Sequence, residues 1–187
     1  MTRPVALFFL LTLSACVSVR TPTQSANQLP LVAPASLNAD RSVQQILHGA
    51  FGSREVTMNC VVTVRGNTLT VIGLSSLGVR AFTIKYDGQQ INAENDLPVP
   101  REFTAERLLA DTQLVLWPVA VLQPVLQRAG WQLTEPFSGT RRLRRGDKLI
   151  AEIHYDSADP WHGRSWLVNL QYGYTLSIDS TNAANTP

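Results

Sequence analysis

The chain has 187 residues, with 16 Lys and Arg residues against 14 Asp and Glu residues. This near-neutral balance gives no electrostatic reason to expect a nucleic-acid partner. The length suffices for one domain with a sizeable core. Of the two cysteines, Cys60 lies in an apolar alternation, which is typical of a buried structural thiol rather than a reactive one.

The first residues have the pattern of a bacterial export signal. Arg3 gives a cationic start, and the apolar run 5–13 is too short to span a membrane. The run ends in Leu13-Ser14-Ala15-Cys16, which resembles the cleavage site of bacterial lipoproteins. The resemblance implies that residues 1–15 are a signal peptide and that Cys16 is acylated, for example with palmitate. The alternative is an ordinary secretory signal that happens to contain a cysteine.

Residues 16–40 are predicted to be the lipidated cysteine and a flexible tether. They are rich in Pro, Ser, Thr, Gln and Asn, and they sustain no helix or strand periodicity. Such a coil reaches about 25 Å, enough to leave a folded domain beside a membrane. In sorted lipoproteins of this kind, Asp directly after the Cys retains the protein at the inner membrane. Val17 stands there, so the resemblance implies the periplasmic face of the outer membrane.

The folded domain, predicted over residues 41–180, begins with strands. Side chains alternate between apolar and polar from Val56 to Val64, as expected for a half-buried strand. Gly66-Asn67 and Asp87-Gly88 are turn signals that connect such runs as hairpins. The pattern predicts an antiparallel meander, with strands at residues 56–64, 68–74, 79–86 and 89–93.

A helical block follows the meander. Thr104 is a suitable N-cap, and Glu106 lies in the first turn, where its charge favours the helix dipole. Apolar residues at helical spacing continue to residue 116, and Pro118 suits the start of a second helix that stops at Gly130. Pro124 is expected to kink or split this second helix.

Strands return at residues 131–135, 139–145 and 149–155, and a final run extends from residue 166 to 178. Its apolar residues are spaced by two without a break. The run predicts one strand about 40 Å long at roughly 3.3 Å per residue, bent at Gly173. Residues 181–187 are predicted to be a disordered tail. The fold class is therefore α+β, a curled antiparallel sheet (a half-barrel) covered by a helical block.

Several pieces resemble the outer-membrane lipoprotein receptor LolB and its relatives. They are Leu69-Thr70-Val71-Ile72-Gly73-Leu74, Leu77-Gly78 and the helical block 104–126. The stretch 168–176 is more similar to a sister family of uncharacterised lipoproteins, often encoded beside aryl polyene or fatty-acid-synthase-like clusters. The resemblance implies a LolA/LolB-like half-barrel whose apolar cavity takes an acyl chain or a lipidated molecule. It also implies a LolA-like periplasmic carrier as a partner, and a role in aryl polyene lipid export or assembly.

The resemblance and the alternating pattern together give candidate site residues. In LolB an exposed loop carries a leucine that meets the membrane, and Leu77, with Leu74 beside it, is at the matching position. Ser76 stands where LolB has a proline. The residues expected to line the cavity are Val62, Val71, Phe82, Leu108, Leu116, Val168, Leu170, Tyr172, Tyr174 and Leu176.

The strongest charge cluster is Arg141, Arg142, Arg144 and Arg145. On a strand these side chains alternate, which favours a solvated edge strand over a site for lipid phosphate or an acidic partner. If the cluster is instead a site for lipid phosphate or an acidic partner, Arg142 and Arg144 are expected to contact the anion. The three histidines match no common metal motif, and no cofactor is expected.

No nucleophile with an adjacent base can be named, so the protein is predicted not to be an enzyme. Two functions remain: a lipid-handling module anchored at the outer membrane, and a non-catalytic scaffold that acts through protein contacts. An open cavity favours the first, and a packed interior favours the second.

Overall fold

The computed structural model describes residues 28–97 and 103–182, except for the side chain of Asn182. Cys16, residues 16–27 of the predicted tether and residues 183–187 of the predicted tail lie outside this part. The helical segments are a short 3-10 helix at Pro34–Leu37, α1 (Ala105–Leu116) and α2 (Val119–Arg128). The strands are β1 (Arg41–Phe51), β2 (Arg54–Arg65), β3 (Thr68–Leu74), β4 (Arg80–Tyr86), β5 (Ile91–Asn95), β6 (Gln132–Phe137), β7 (Thr140–Arg145), β8 (Lys148–Tyr155), β9 (Gly163–Asn169) and β10 (Tyr174–Asn182).

These strands form one antiparallel sheet in the order β5-β4-β3-β2-β1-β10-β9-β8-β7-β6. The sheet is open, with β5 and β6 at its two edges. Its inner face and the two helices enclose the core, which includes the fully buried Trp117 and Trp131. The predicted α+β class, with helices over an antiparallel sheet, is therefore confirmed.

Local signals in the sequence account for several elements. Inward-facing side chains of β2 alternate with exposed ones, and the predicted hairpin turn at Gly66-Asn67 connects β2 to β3. Gly66 has a φ of +54°, which a glycine adopts at little cost. At the start of α1, the Thr104 hydroxyl accepts a hydrogen bond from Arg107 N at 3.3 Å, as expected for an N-cap.

Proline 124 does not split α2, which is one helix from Val119 to Arg128. A proline inside a helix deprives the carbonyl four residues earlier of its donor, here that of Ala120. Both Ala120 and Pro124 are exposed, so water can bind that carbonyl instead. The carbonyl of Pro124 itself accepts a hydrogen bond from Arg128 Nε at 3.1 Å.

The prediction of one long strand over residues 166–178 is wrong. Residues 170–173 form a turn between β9 and β10, and Gly173 in this turn has a φ of +69°. The two strands pair so that Asn169 lies opposite Tyr174 and Leu167 opposite Leu176. Odd-numbered residues of β9 thus share a face with even-numbered residues of β10. The unbroken spacing by two therefore changes face at the turn.

Strand β1 was not predicted, although it joins the two halves of the sheet by pairing with β2 and β10. Its inward positions include a polar residue, Gln45, and Gly49, whereas the apolar Ile46 points outward and is 46% exposed. Gln45 is satisfied inside by a hydrogen bond from its Nε2 to Ser180 Oγ at 3.1 Å. Because of these polar and small residues at inward positions, β1 lacks the apolar–polar alternation that predicts a strand.

Residues 28–40 extend the folded domain beyond the boundary predicted at residue 41. Val32 is buried, and its N–H and carbonyl bind the side-chain amide of Gln113 on α1 at 2.9 and 2.8 Å. Pro34 is also buried. The prediction of a flexible tether is therefore wrong for this part of residues 16–40. At the other end, residues 181 and 182 belong to β10 and not to a tail.

Candidate functional site

A narrow apolar cavity lies between α1 and the inner face of β1–β4 and β10. We call it the apolar slot, and its volume is about 50 Å³. Several of the residues around it are half-buried, including Phe51, Phe103 and Leu108, so the slot reaches the surface. Its lining residues are Gln45, Leu47, Gly49, Phe51, Val56, Met58, Cys60, Val62, Val71, Phe82, Phe103, Leu108, Thr112 and Leu176.

Two glycines let aromatic rings lie against the sheet at the slot. A Cβ at Gly73 would be 2.4 Å from the ring of Phe82, and one at Gly49 would be 2.5 Å from that of Phe51. Both distances are below any van der Waals contact. Cys60 is buried in the same wall, and burial raises the pKa of its thiol to about 12. The prediction that Cys60 is buried is confirmed.

An aromatic cluster forms one rim of the slot. The ring of Phe51 lies 4.6 Å from that of Phe103 and 5.1 Å from that of Tyr174, measured between centroids. Phe103 directly precedes the N-cap of α1. Entry to the slot at this rim would therefore require the start of α1 or one of these rings to move.

Five of the ten residues predicted to line a cavity do line the slot: Val62, Val71, Phe82, Leu108 and Leu176. Leu116 and Tyr174 are buried elsewhere in the core. Val168 lies on the outer face of β9, and Leu170 and Tyr172 lie in the β9–β10 turn, 51% and 39% exposed. None of these last three lines the slot, because the prediction assumed an unbroken strand, but Tyr172 lines a second cavity, described below.

The predicted loop between β3 and β4 is a tight hairpin tip. Ser75 N donates to the carbonyl of Val79 at 2.8 Å, and Gly78 N donates to that of Ser75 at 2.9 Å. Leu77 is 88% exposed at the tip, whereas Leu74 is half-buried at the end of β3. The exposed half of the predicted membrane-contact pair is therefore Leu77.

The arginine cluster is not on an edge strand, because β7 lies between β6 and β8. The edge-strand prediction is wrong. Arg141 is buried, Arg142 forms an ion pair with Glu152 on β8, and Arg144 donates to the carbonyl of Asp147 at 3.0 Å. The two residues predicted to contact an anion thus have partners on β8 and in the β7–β8 turn.

Arg141 and two aromatic residues bind the C-terminal end of α1. Arg141 Nη1 donates to the carbonyls of Leu114 and Trp117. The hydroxyl of Tyr155 donates to Val115 O at 2.8 Å, and Trp161 Nε1 donates to Leu116 O at 3.1 Å. The last carbonyls of a helix have no partner within it. Here the side chains of Arg141, Tyr155 and Trp161 donate hydrogen bonds to these carbonyls, and we call these three residues the carbonyl clamp.

A second cavity, of about 240 Å³, lies beside the N-terminal half of α1. We call it the polar cavity. Its walls come from residues 28–31, α1, β4 and the end of β9. The lining residues are Gln28, Leu29, Leu31, Tyr86, Thr104, Glu106, Arg107, Ala110, Asp111, Asn169 and Tyr172.

The buried carboxyl of Asp111 is the centre of this cavity's wall. It accepts a hydrogen bond from the hydroxyl of Tyr174, which in turn accepts one from Asn169 Nδ2 at 3.0 Å. Burial raises the pKa of Asp111 to about 6, against the opposing effects of Tyr174, Arg107 and Asn169. The guanidinium of Arg107 lies 3.6 Å from the ring centroid of Tyr172.

This cluster was not predicted from the sequence. A signal was present, because Asp111 lies three residues after Leu108 and four before Val115, on the apolar face of α1. An acidic residue on such a face requires a polar partner inside the fold. The partners of Asp111 are Asn169 on β9 and Tyr174 on β10, and these two strands were predicted as one.

No group of His, Cys, Asp and Glu side chains able to bind a metal occurs within residues 28–97 and 103–182. No helix in the same part of the chain is long and apolar enough to cross a bilayer.

Comparison with protein families gives one clear result. The family model described as a protein of unknown function, DUF3261, matches residues 42–182, which include every strand but the first residue of β1. No match was found among curated proteins. Since the matched residues make up most of the chain, it belongs to the DUF3261 family.

Proposed function

We propose that the protein is an outer-membrane-anchored lipoprotein that binds or transfers an acyl chain in the apolar slot. The observation that carries this proposal is the slot itself. Its wall is almost entirely apolar, it reaches the surface, and Val62, Val71, Phe82, Leu108 and Leu176 meet in it from four strands and a helix. Burial of acyl methylene groups contributes about 0.8 kcal/mol each.

The slot is too small for an acyl chain in this conformation. Ligand pockets typically have volumes of about 300–1,000 Å³, against about 50 Å³ here. An acyl chain therefore requires the slot to widen. We expect the N-terminal half of α1 to make this movement, because the C-terminal end of the helix is bound by the carbonyl clamp.

The anchor and the hairpin tip complete the proposal. An acylated Cys16 attaches the protein to the membrane, and Leu77 at the tip of the β3–β4 hairpin contacts a lipid surface or a lipid-carrying partner. An exposed leucine on a tight turn has no neighbours that can bury it. Cys16→Ala should leave the protein unlipidated, as a soluble or uncleaved form. Correct processing and outer-membrane fractionation of this variant would contradict the anchor.

The second candidate function is a non-catalytic scaffold that acts through protein contacts. The small volume of the slot favours it, because a packed interior needs no ligand. The two functions differ in one measurable property, the uptake of a fatty acid.

The test compares Leu176→Trp with Val168→Trp in uptake of a fluorescent fatty acid. Leu176 lines the slot, whereas Val168 lies on the outer face of the adjacent strand and serves as the matched control. We expect Leu176→Trp to lose uptake and Val168→Trp to keep it. Equal uptake by the parent and both variants would contradict acyl binding in the slot, and no uptake by the parent would favour the scaffold.

A further inference from the structure

The polar cavity has the composition of a binding site that is separate from the apolar slot. Glu106, Arg107 and Asp111 bring two carboxyl groups and one guanidinium to it, and Asn169 brings an amide. Asp111 and Asn169 are both buried. Buried polar groups of this kind are costly unless they have hydrogen-bond partners, and they concentrate at sites that bind polar ligands.

The charges in the wall decide which ligand fits. A phosphate or carboxylate would meet the two carboxylates of Glu106 and Asp111. An ammonium would meet the guanidinium of Arg107, which already lies on the ring of Tyr172. A neutral hydroxyl group avoids both repulsions, because it can donate to a carboxylate and accept from a guanidinium.

The size of the cavity indicates a small group. Its volume of about 240 Å³ lies just below the range of about 300–1,000 Å³ for drug-sized ligands. We propose that the polar cavity binds a single sugar ring, either as a free sugar or as the head of a glycolipid, through Asp111 and Arg107.

Tyr174 joins the polar cavity to the apolar slot. Its hydroxyl donates to Asp111 in the cavity wall, and its ring lies 5.1 Å from that of Phe51 at the rim of the slot. A glycolipid could thus place its sugar in one cavity and its chain in the other. The sugar site does not depend on the chain, so it can be tested separately from acyl binding.

The test uses the full-length protein, kept in solution by an amphipathic polymer, at pH 7.5. Three probes are titrated by calorimetry: methyl β-D-glucoside, octyl β-D-glucoside below its critical micelle concentration, and octanol. We expect octyl glucoside to bind at least tenfold more tightly than octanol. Binding of both glucosides indicates a free sugar as a sufficient ligand, and binding of octyl glucoside alone indicates a glycolipid head.

Variants assign this binding to the polar cavity. Asp111→Asn should weaken glucoside binding at least tenfold and leave octanol binding unchanged. Asp147→Asn, at the exposed turn between β7 and β8, is the matched control and should bind like the parent. If Asp111→Asn does not fold, Arg107→Gln replaces it, with Arg128→Gln on the exposed side of α2 as its control.

The sugar site is overturned if neither glucoside binds more tightly than octanol, or if the cavity variants bind both glucosides like the parent. Octanol binding without a glucoside preference would overturn the sugar site and leave acyl binding supported. Methyl glucoside binding without octanol binding would support the sugar site and count against acyl binding in the slot.

Discussion

At the C-terminal end of α1, the carbonyl clamp of Arg141, Tyr155 and Trp161 binds the last carbonyl groups, whereas the N-terminal half of the same helix lies over two cavities. The clamp residues come from β7, β8 and the loop before β9. Beside the N-terminal half are the apolar slot and the polar cavity. The clamp end also borders a cavity, of about 780 Å³ and lined in part by Arg141, Tyr155 and Trp161, so the two ends differ in how the helix backbone is held. We expect α1 to move at its N-terminal half, with the clamp as the pivot.

Removing the clamp arginine should have the largest effect. Arg141→Met leaves the carbonyls of Leu114 and Trp117 without this donor in the core. An unsatisfied buried group costs about 1–3 kcal/mol, so we expect unfolding free energy to fall by roughly 4 kcal/mol in urea denaturation. Arg142→Met, at a half-exposed ion pair with Glu152, should cost at most about 1 kcal/mol. Equal losses in the two variants would contradict the pivot.

Replacing the buried carboxyl of Asp111, in the middle of α1, should stabilise the protein in a pH-dependent way. The pKa of Asp111 rises from 3.8 to about 6 on folding because the ionised form is buried. The folded state therefore binds the proton more tightly, and its stability falls as the pH rises from about 4 to 6. The charged and titratable groups that face Asp111 are Tyr174, Arg107 and Glu106.

Asp111→Asn has no carboxyl to ionise, so it should not lose stability as the pH rises. At pH 7 we expect the variant to exceed the parent in unfolding free energy by up to ~3 kcal/mol, from about two pKa units at roughly 1.4 kcal/mol each. Below pH 4 the gain should disappear, since the carboxyl is then protonated in both states. Urea denaturation at pH 4 and pH 7 measures the difference in unfolding free energy between the variant and the parent. A difference that does not change with pH would show that Asp111 is not the titrating group.

Amide hydrogen exchange compares the two ends of α1 directly. We expect the amides of residues 108–112 to exchange about tenfold faster than those of residues 113–117, a difference of about 1.4 kcal/mol in opening free energy. In Arg141→Met the difference should shrink, because the clamp end loses its partners. Uniform exchange along the parent helix would contradict a mobile N-terminal half.

The smallest effect on stability is expected at the hairpin tip. Leu77→Glu changes an exposed side chain, so unfolding free energy should stay within about 0.5 kcal/mol of the parent. The same change should weaken binding to phosphatidylethanolamine–phosphatidylglycerol vesicles, measured in a Cys16→Ala background by sedimentation. Phe137→Glu, at another exposed apolar position, is the control and should bind like its background. Unchanged binding by Leu77→Glu would favour the scaffold function.

Local signals determined much of the sheet and the start of the helical block. The alternation of β2, the turn at Gly66-Asn67 and the cap at Thr104 depend on residues within a few positions of one another. They could be predicted because each part supplies its own hydrogen bonds and its own apolar face. The exposure of Leu77 followed from the same reasoning, since a tip of Ser and Gly cannot bury it.

Other features were decided by pairing between distant parts of the chain. Residues 166–178 alternate without a break, yet across the turn at 170–173 the inward positions change from odd-numbered residues in β9 to even-numbered residues in β10. Arg141 lies among charged residues, a context typical of a solvated strand, but its side chain is buried. The carbonyls at the end of α1 accept the hydrogen bonds that make this burial possible.

The sequence by itself determined the antiparallel class, most strand positions, both helices and the buried thiol, because these depend on periodicity and local capping. Tertiary structure decided which face of β9 is inside, the narrow volume of the slot and the contact of Asp111 with Tyr174, 63 residues later. Those features depend on register and packing between elements far apart in the chain. A one-residue change in register moves every side chain of a strand to the other face.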